Sequence, residues 1–138
     1  MMDFFASMYA NGDWGLLALR LALAAIFIMH GKGKFKMWKM QPSAQMSSGM
    51  VSLMKFLSIA ELFGGIAMLF GFLTQLAAIG LGIIMLGAMK FKIWVWKTPF
   101  ASTEKIGWEF DLLILAVCVA LFIFGPGTMS LDNMWFGL

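Results

Sequence analysis

Apolar residues run along this chain in four long stretches, from about Trp14 to His30, Val51 to Leu73, Gln75 to about Ile93, and about Ile106 to Phe124. A helix that crosses a bilayer needs about 20 mostly apolar residues, each rising 1.5 Å. The second stretch meets this directly. The first and third reach it with their amphipathic ends, and the fourth only if Glu109 and Asp111 lie within its first turns. Gly125-Pro126-Gly127 is a strong stop to the last helix. The interval from Gly71 to Gln75 allows only a tight turn, so the second and third helices are predicted to form an antiparallel hairpin. The pattern predicts an all-α membrane protein, one domain over residues 1–138 folded as a four-transmembrane-helix bundle.

Composition strengthens this reading. Only 12% of the residues are charged and 62% are hydrophobic, whereas a soluble domain carries about 25% charged residues. Charge also sets an orientation. Nine of the ten basic residues (Lys32, Lys34, Lys36, Lys39, Lys55, Lys90, Lys92, Lys97 and Lys105) fall in or beside the first and third loops. The opposite side offers Asp3, Asp13 and Asp132 and no lysine. Cytoplasmic loops are the lysine-rich ones, so both termini are expected on the outer side of a prokaryotic plasma (inner) membrane, in a multi-pass protein. The N-terminus has Asp3 and no basic residue before the first apolar stretch, unlike a cleavable signal peptide. The basic balance then reflects topology and anionic lipid; nucleic acid is not an expected partner.

Small residues predict how the helices approach. Ala60, Gly64, Ala67 and Gly71 make one stripe on the second helix; Ala18, Ala22 and Ala25 make another on the first, and Ala116 and Ala120 a shorter one on the fourth. Such stripes allow close packing in membranes. They predict a compact bundle without a wide pore.

Two ionisable residues lie within the apolar stretches, Arg20 in the first and Glu61 in the second. A charge at membrane depth costs roughly 2.5–3.5 kcal/mol on the insertion scale and persists with a partner, a cavity or a function. Measured from His30 as the end of the first helix, Arg20 lies about 15 Å deep, and Glu61 lies about 9 Å from the same face. The offset of about 6 Å is within reach of two long side chains. An Arg20–Glu61 ion pair is therefore predicted, either fixing helix register or forming part of a ligand site. Nearer the lysine-rich face, His30 closes the first helix while Trp108, Glu109 and Asp111 open the fourth. Glu109 shares a face with Leu113, Ala116 and Ala120, so it is expected to point inward, with Asp111 rotated about 200° away.

Arg20, His30, Glu61 and Glu109 could together surround a polar head group such as a quinone carbonyl, the bundle holding the apolar tail. A His–carboxylate pair can move the protons that quinone reduction requires. A hard-metal site from His30 and the three carboxylates is conceivable in donor type, but no HExxH or ExxH spacing is present and no metal is assigned. Cys118 is alone, which excludes an intrachain disulfide or a CxxC centre, and the single histidine excludes bis-His haem. Met37, Met40, Met46, Met50 and Met54 have no cysteine or histidine among them and read as adaptable apolar filler. Phe91, Trp94, Trp96 and Trp108 read as an interfacial aromatic belt.

Five short pieces, in order, resemble the DoxX family of small four-helix membrane proteins. They are Leu19-Arg20-Leu21 with Phe27-Ile28-Met29-His30-Gly31 and Lys34-Phe35; Ala60-Glu61-Leu62-Phe63-Gly64-Gly65; Gly71-Phe72-Leu73-Thr74; Gly107-Trp108-Glu109-Phe110-Asp111; and Gly125-Pro126-Gly127 with Ser130-Leu131-Asp132. The resemblance implies a membrane subunit associated with oxidoreductases, and it carries Arg20, His30, Glu61, Trp108 and Glu109 over as the characteristic polar positions. The expectation is a subunit that binds a quinone-type amphiphile, docks a soluble redox enzyme at the cytoplasmic face, or both. No covalently bound cofactor is expected, quinone is the candidate cofactor, and a homo-oligomer is compatible with the sequence. Two alternatives stand beside it: a small proton-coupled multidrug-type transporter built on a deep glutamate, and a non-catalytic anchor for a soluble enzyme.

Overall fold

A computed structural model describes residues 11–39, 41–43 and 46–137. Asp3, the signal-peptide question and Met40 lie outside the described residues. The described chain is helical, without a strand. Helix α1 spans Gly12–Phe35 and continues as a 3₁₀ turn over Lys36–Lys39. Asp13 in its first turn and Lys32 and Lys34 in its last suit the helix dipole. Helix α2 spans Ser48–Phe70, and the Ser47 hydroxyl caps it by accepting from the Met50 amide. It ends at Gly71, whose left-handed backbone (φ 62°) lets the Phe72 amide return to the Ala67 carbonyl at 2.9 Å. Helix α3 spans Thr74–Lys90 and runs into a π-helical turn over Phe91–Val95. Helix α4 spans Trp108–Phe124, and a short α5 covers Leu131–Phe136.

The expected hairpin between α2 and α3 is present, and the other long helices also pack antiparallel to their neighbours. Gly31 of α1 rests on Ser58 and Leu62 of α2, and Gly65 of α2 rests on Ala24 and Ile28 of α1. A Cβ at Gly65 would stand 2.9 Å from the Ile28 amide nitrogen, closer than real contacts permit, so a glycine lets these two backbones meet. Gly64 faces Leu81 of α3, while Gly82 of α3 faces Leu115 and Cys118 of α4. Leu23, Phe27, Met68, Leu81, Ile114 and Leu121 fill the space between.

The surface inverts the usual polarity. Phe63, Ile83, Leu113 and Ile123 are each more than 60% exposed. Such a continuous apolar exterior suits hydrocarbon as its solvent. Among the described residues three helices are long and apolar enough to cross a membrane: α1 with its 3₁₀ extension, α2, and α3 with its π turn. Helix α4 has 17 residues.

Two packing expectations change. Ala18, Ala22 and Ala25 are exposed, and α1 buries Arg20, Leu23, Ala24, Phe27 and Gly31 instead. On α4 the buried positions are Asp111, Ile114, Cys118 and Leu121, while Leu113 and Ala116 face outward. The bulky stripes lie inside because side-chain volume has to fill the core between four helices, and close approach is delegated to single glycines.

Candidate functional site

The two ends of the bundle carry different polar clusters. At the end of the α2–α3 hairpin, Arg20 is 1% exposed and its Nη2 donates to the Met129 carbonyl. Its guanidinium lies against Gly71, where a Cβ would fall 1.8 Å from Nη1. The Asp132 carboxylate is near enough for its charge to act on Arg20 without making a direct ion pair, and Arg20 Nε and Nη1 have no hydrogen-bond partner among the described residues. The same carboxylate accepts from the amides of Leu73 at 2.7 Å and Thr74 at 2.8 Å, satisfying donors that the first turn of α3 leaves open. The Asp132 amide in turn donates to the Gly71 carbonyl at 2.9 Å. The segment after α4 thus laces α1, α2 and α3 together, and Thr128 adds a bond to Asp13. An open hollow of about 380 Å³ lies beside this lacing, with Asp13, Gln75, Thr128 and Asn133 on its wall.

At the opposite end, where the lysines gather, Glu61 is 2% exposed and pairs with Lys34. Lys34 reaches it because α1 does not stop at His30. The 3₁₀ turn that follows folds onto α2, where the Trp38 indole donates to the Ser58 hydroxyl at 2.8 Å and the Phe35 ring lies 5.3 Å from that of Trp38. The Ser58 hydroxyl donates onward to the Lys55 carbonyl. Glu61 Oε2 has no hydrogen-bond partner among the described residues.

A second lysine–carboxylate pair stands at the same end. Lys92 Nζ lies 2.8 Å from Asp111 Oδ2 and donates to the Gly107 carbonyl at 3.3 Å. Lys92 sits on the π turn, whose wider winding re-aims side chains relative to a regular helix. The start of α4 is held by the preceding loop: the Glu109 amide donates to the Phe100 carbonyl, and Phe100 meets Trp108 edge-on at 4.5 Å.

This geometry corrects the expected pairing. Arg20 and Glu61 belong to different clusters: Arg20 packs at the level of Gly71, ten residues along α2 from Glu61, or about 15 Å. A helix ending at His30 would bring the two within reach, whereas α1 continues to Phe35. With Gly31 opposite Leu62, the partner at the depth of Glu61 is Lys34. The inward orientation expected of Glu109 is also reversed, since Glu109 is exposed and Asp111 buried. His30 is exposed, and Trp108 is half-buried against Phe100. Of the five positions carried over from the resemblance, only Glu61 and Trp108 are withdrawn from the surface at the lysine end. Lys34, Lys92 and Asp132 were not picked out as site residues, although Asp111, Ile114, Cys118 and Leu121, at spacings of three, four and three, already formed a legible stripe.

Comparison with known proteins agrees with this architecture. The DoxX family profile matches residues 15–96, which include Arg20, both partners of the Lys34–Glu61 pair, and Lys92. The chain belongs to the DoxX family. It is also 32% identical over 126 residues to the protein of Bacillus subtilis (strain 168) named "Putative oxidoreductase CatD", covering 88% of this chain and 87% of that one. No solved structure matches it. This DoxX protein thus shares nearly its full length with a relative whose name places it among oxidoreductases, and its apolar helices are those of a multi-pass membrane protein.

Proposed function

We propose that this DoxX protein is a membrane subunit of an oxidoreductase system that binds a quinone-type amphiphile at its lysine end. One observation carries the reading. Two buried carboxylates, Glu61 and Asp111, stand at that end, each paired with a lysine from a neighbouring element. The packing of Gly64 on Leu81 and of Gly82 on Cys118 leaves them about 7–8 Å apart in depth, roughly one and a half helical turns. A quinone head accepts hydrogen bonds through its carbonyls and, once reduced, donates through its hydroxyls. Lysine supplies the donors and the carboxylate the acceptor and proton exchange. Arg20, at the other end, lies outside this site.

Short-chain quinones should raise the melting temperature of the detergent-solubilised protein by a few degrees, whereas the near-isosteric double variant Glu61→Gln/Asp111→Asn should show no such rise. An equal rise in both proteins, or in neither, would argue against a head group held by these carboxylates.

The reading includes a topology. Helix α4 is taken as a fourth crossing, since its 17 residues span about 25 Å and meet the lower limit for a bilayer. The lysine end faces the cytoplasm of a prokaryotic cell, where Lys32, Lys36, Lys39, Lys90, Lys97 and Lys105 are exposed and would receive an acidic surface on a soluble redox partner. Thr128 and Ser102 are exposed at opposite ends, and the native Cys118 is buried. In intact cells a membrane-impermeant maleimide should label Thr128→Cys and spare Ser102→Cys. The reverse pattern would invert the topology.

A further inference from the structure

A groove of about 180 Å³ runs between α3 and α4 on the lipid-facing side of the bundle. It exists because Ala78 and Gly82 present almost no side chain where Leu115 and Cys118 pass opposite. Ile79, Ile83 and Leu86 border it on α3 and Val119 and Phe122 on α4, so its wall is almost wholly apolar. From Ile79 to Leu86 it is about 10 Å long.

A polar group stands about one helical turn past the residues that line the groove. Asp111, Leu115, Cys118 and Phe122 follow one another at spacings of four, three and four, so they form one stripe along α4. Three of them line the groove, and the fourth, one turn beyond Leu115, is the carboxylate that Lys92 holds at 2.8 Å. Lys92 comes from the continuation of α3, the other wall. An ammonium has three donors. One of those on Lys92, whose side chain is 17% exposed, engages the Gly107 carbonyl, and the ammonium stands 2.8 Å from Asp111 Oδ2, an oxygen without a hydrogen-bond partner among the described residues. A further donor is left to meet an acceptor arriving along the groove. Glu61 is 2% exposed and lies beneath Lys34 and the Trp38 turn.

We infer that the α3–α4 groove is the tail channel of the quinone site and that Lys92, with Asp111 behind it, receives the head carbonyl. This rests on the quinone reading above and chooses between its two lysine–carboxylate pairs. Lys34–Glu61 then holds the α1 extension to α2 rather than touching the ligand. The assigned occupant is a quinone with one unbranched or isoprenoid tail. A tail-less quinone leaves the groove unfilled.

The test uses the full chain in nanodiscs, with decylubiquinone and its tail-less dimethoxy-methyl-benzoquinone head as probes. Gly82→Leu puts side-chain volume into the groove, and the first atom it adds, a Cβ at Gly82, meets Leu115 at 3.5 Å and Cys118 at 3.7 Å, both ordinary contacts. Gly82→Leu should weaken decylubiquinone binding about tenfold and leave the tail-less head unaffected. Lys92→Met should weaken both about tenfold, and Glu61→Gln neither. An unchanged melting temperature for Gly82→Leu shows that the loss is not misfolding. If decylubiquinone binds the wild type but responds to Glu61→Gln and not to Gly82→Leu or Lys92→Met, this inference fails and the quinone reading stands. If it does not bind the wild type, both fail. Binding of decanoate with the same affinity and the same response to these variants would make the groove a fatty-acid site and overturn the quinone assignment.

Discussion

Asp132→Leu is expected to be the most damaging single change to a charged residue in this protein, more so than Arg20→Leu. Removing Asp132 leaves the Arg20 guanidinium, 1% exposed, without its counter-charge and opens the amides of Leu73 and Thr74 at the start of α3. Removing Arg20 leaves Asp132 with both of those amides still bonded. Breaking a buried pair in contact costs about 3–5 kcal/mol in a soluble interior, an upper bound for Arg20 and Asp132, which interact without direct contact. In a membrane the loss is smaller, because separated helices also find polar partners. The double variant Arg20→Leu/Asp132→Leu should recover part of the loss but not the part due to the cap. Unfolding by denaturing detergent measures all three. The pair Arg20→Leu and Glu61→Leu should instead be additive within about 0.5 kcal/mol, since sites farther apart than about 10 Å rarely couple. Strong coupling of Arg20 to Glu61, with none to Asp132, would contradict the two-cluster arrangement.

The second large effect is expected at Lys34 and Glu61. Glu61→Lys places two ammonium groups where one carboxylate is buried, and the 3₁₀ turn carrying Trp38 should detach from α2. Lys34→Met is milder, because Lys34 is a quarter exposed and water screens part of the interaction; a loss of about 1–3 kcal/mol is expected. The exchange Lys34→Glu/Glu61→Lys restores opposite charges and should regain much of the stability lost by Glu61→Lys. Trp38 fluorescence is not separable from the other tryptophans by eye, so a Trp38→Phe background provides the difference spectrum. If the exchanged protein is no more stable than Glu61→Lys alone, the two side chains do not act as a pair.

These expectations show which parts of the site a one-dimensional reading reaches. The need for a partner was legible at Arg20 and Glu61, because a charge inside an apolar stretch is costly wherever the stretch packs. Which partner each takes was not legible. It depends on where α1 ends, and neither Gly31 nor Gly33 breaks the helix: Gly31 is retained to admit α2, and helical hydrogen bonding continues through both. Five further residues at 1.5 Å each displaced the depth scale by about 8 Å, enough to exchange one partner for another. The orientation of α4 failed for a related reason. Ala116 and Ala120 are small on either face of a helix, and small size alone does not say whether a neighbouring helix or lipid lies opposite.

Local sequence is enough to specify the helical, membrane-type character of this protein, its hairpin at Gly71, its stop at Gly125 and the collection of lysines at one end. Those follow from local hydropathy, from backbone freedom at glycine and from charge, quantities that each residue carries with it. Only the tertiary structure decided that Asp132 crosses to cap α3 beside Arg20, that Lys34 rather than Arg20 meets Glu61, and that Lys92 on a π turn reaches Asp111. Those contacts join residues 19 to 58 positions apart in the chain. They depend on helix register and rotation, which are set by how a few glycines let backbones approach and by which bulky stripes fill the space between them.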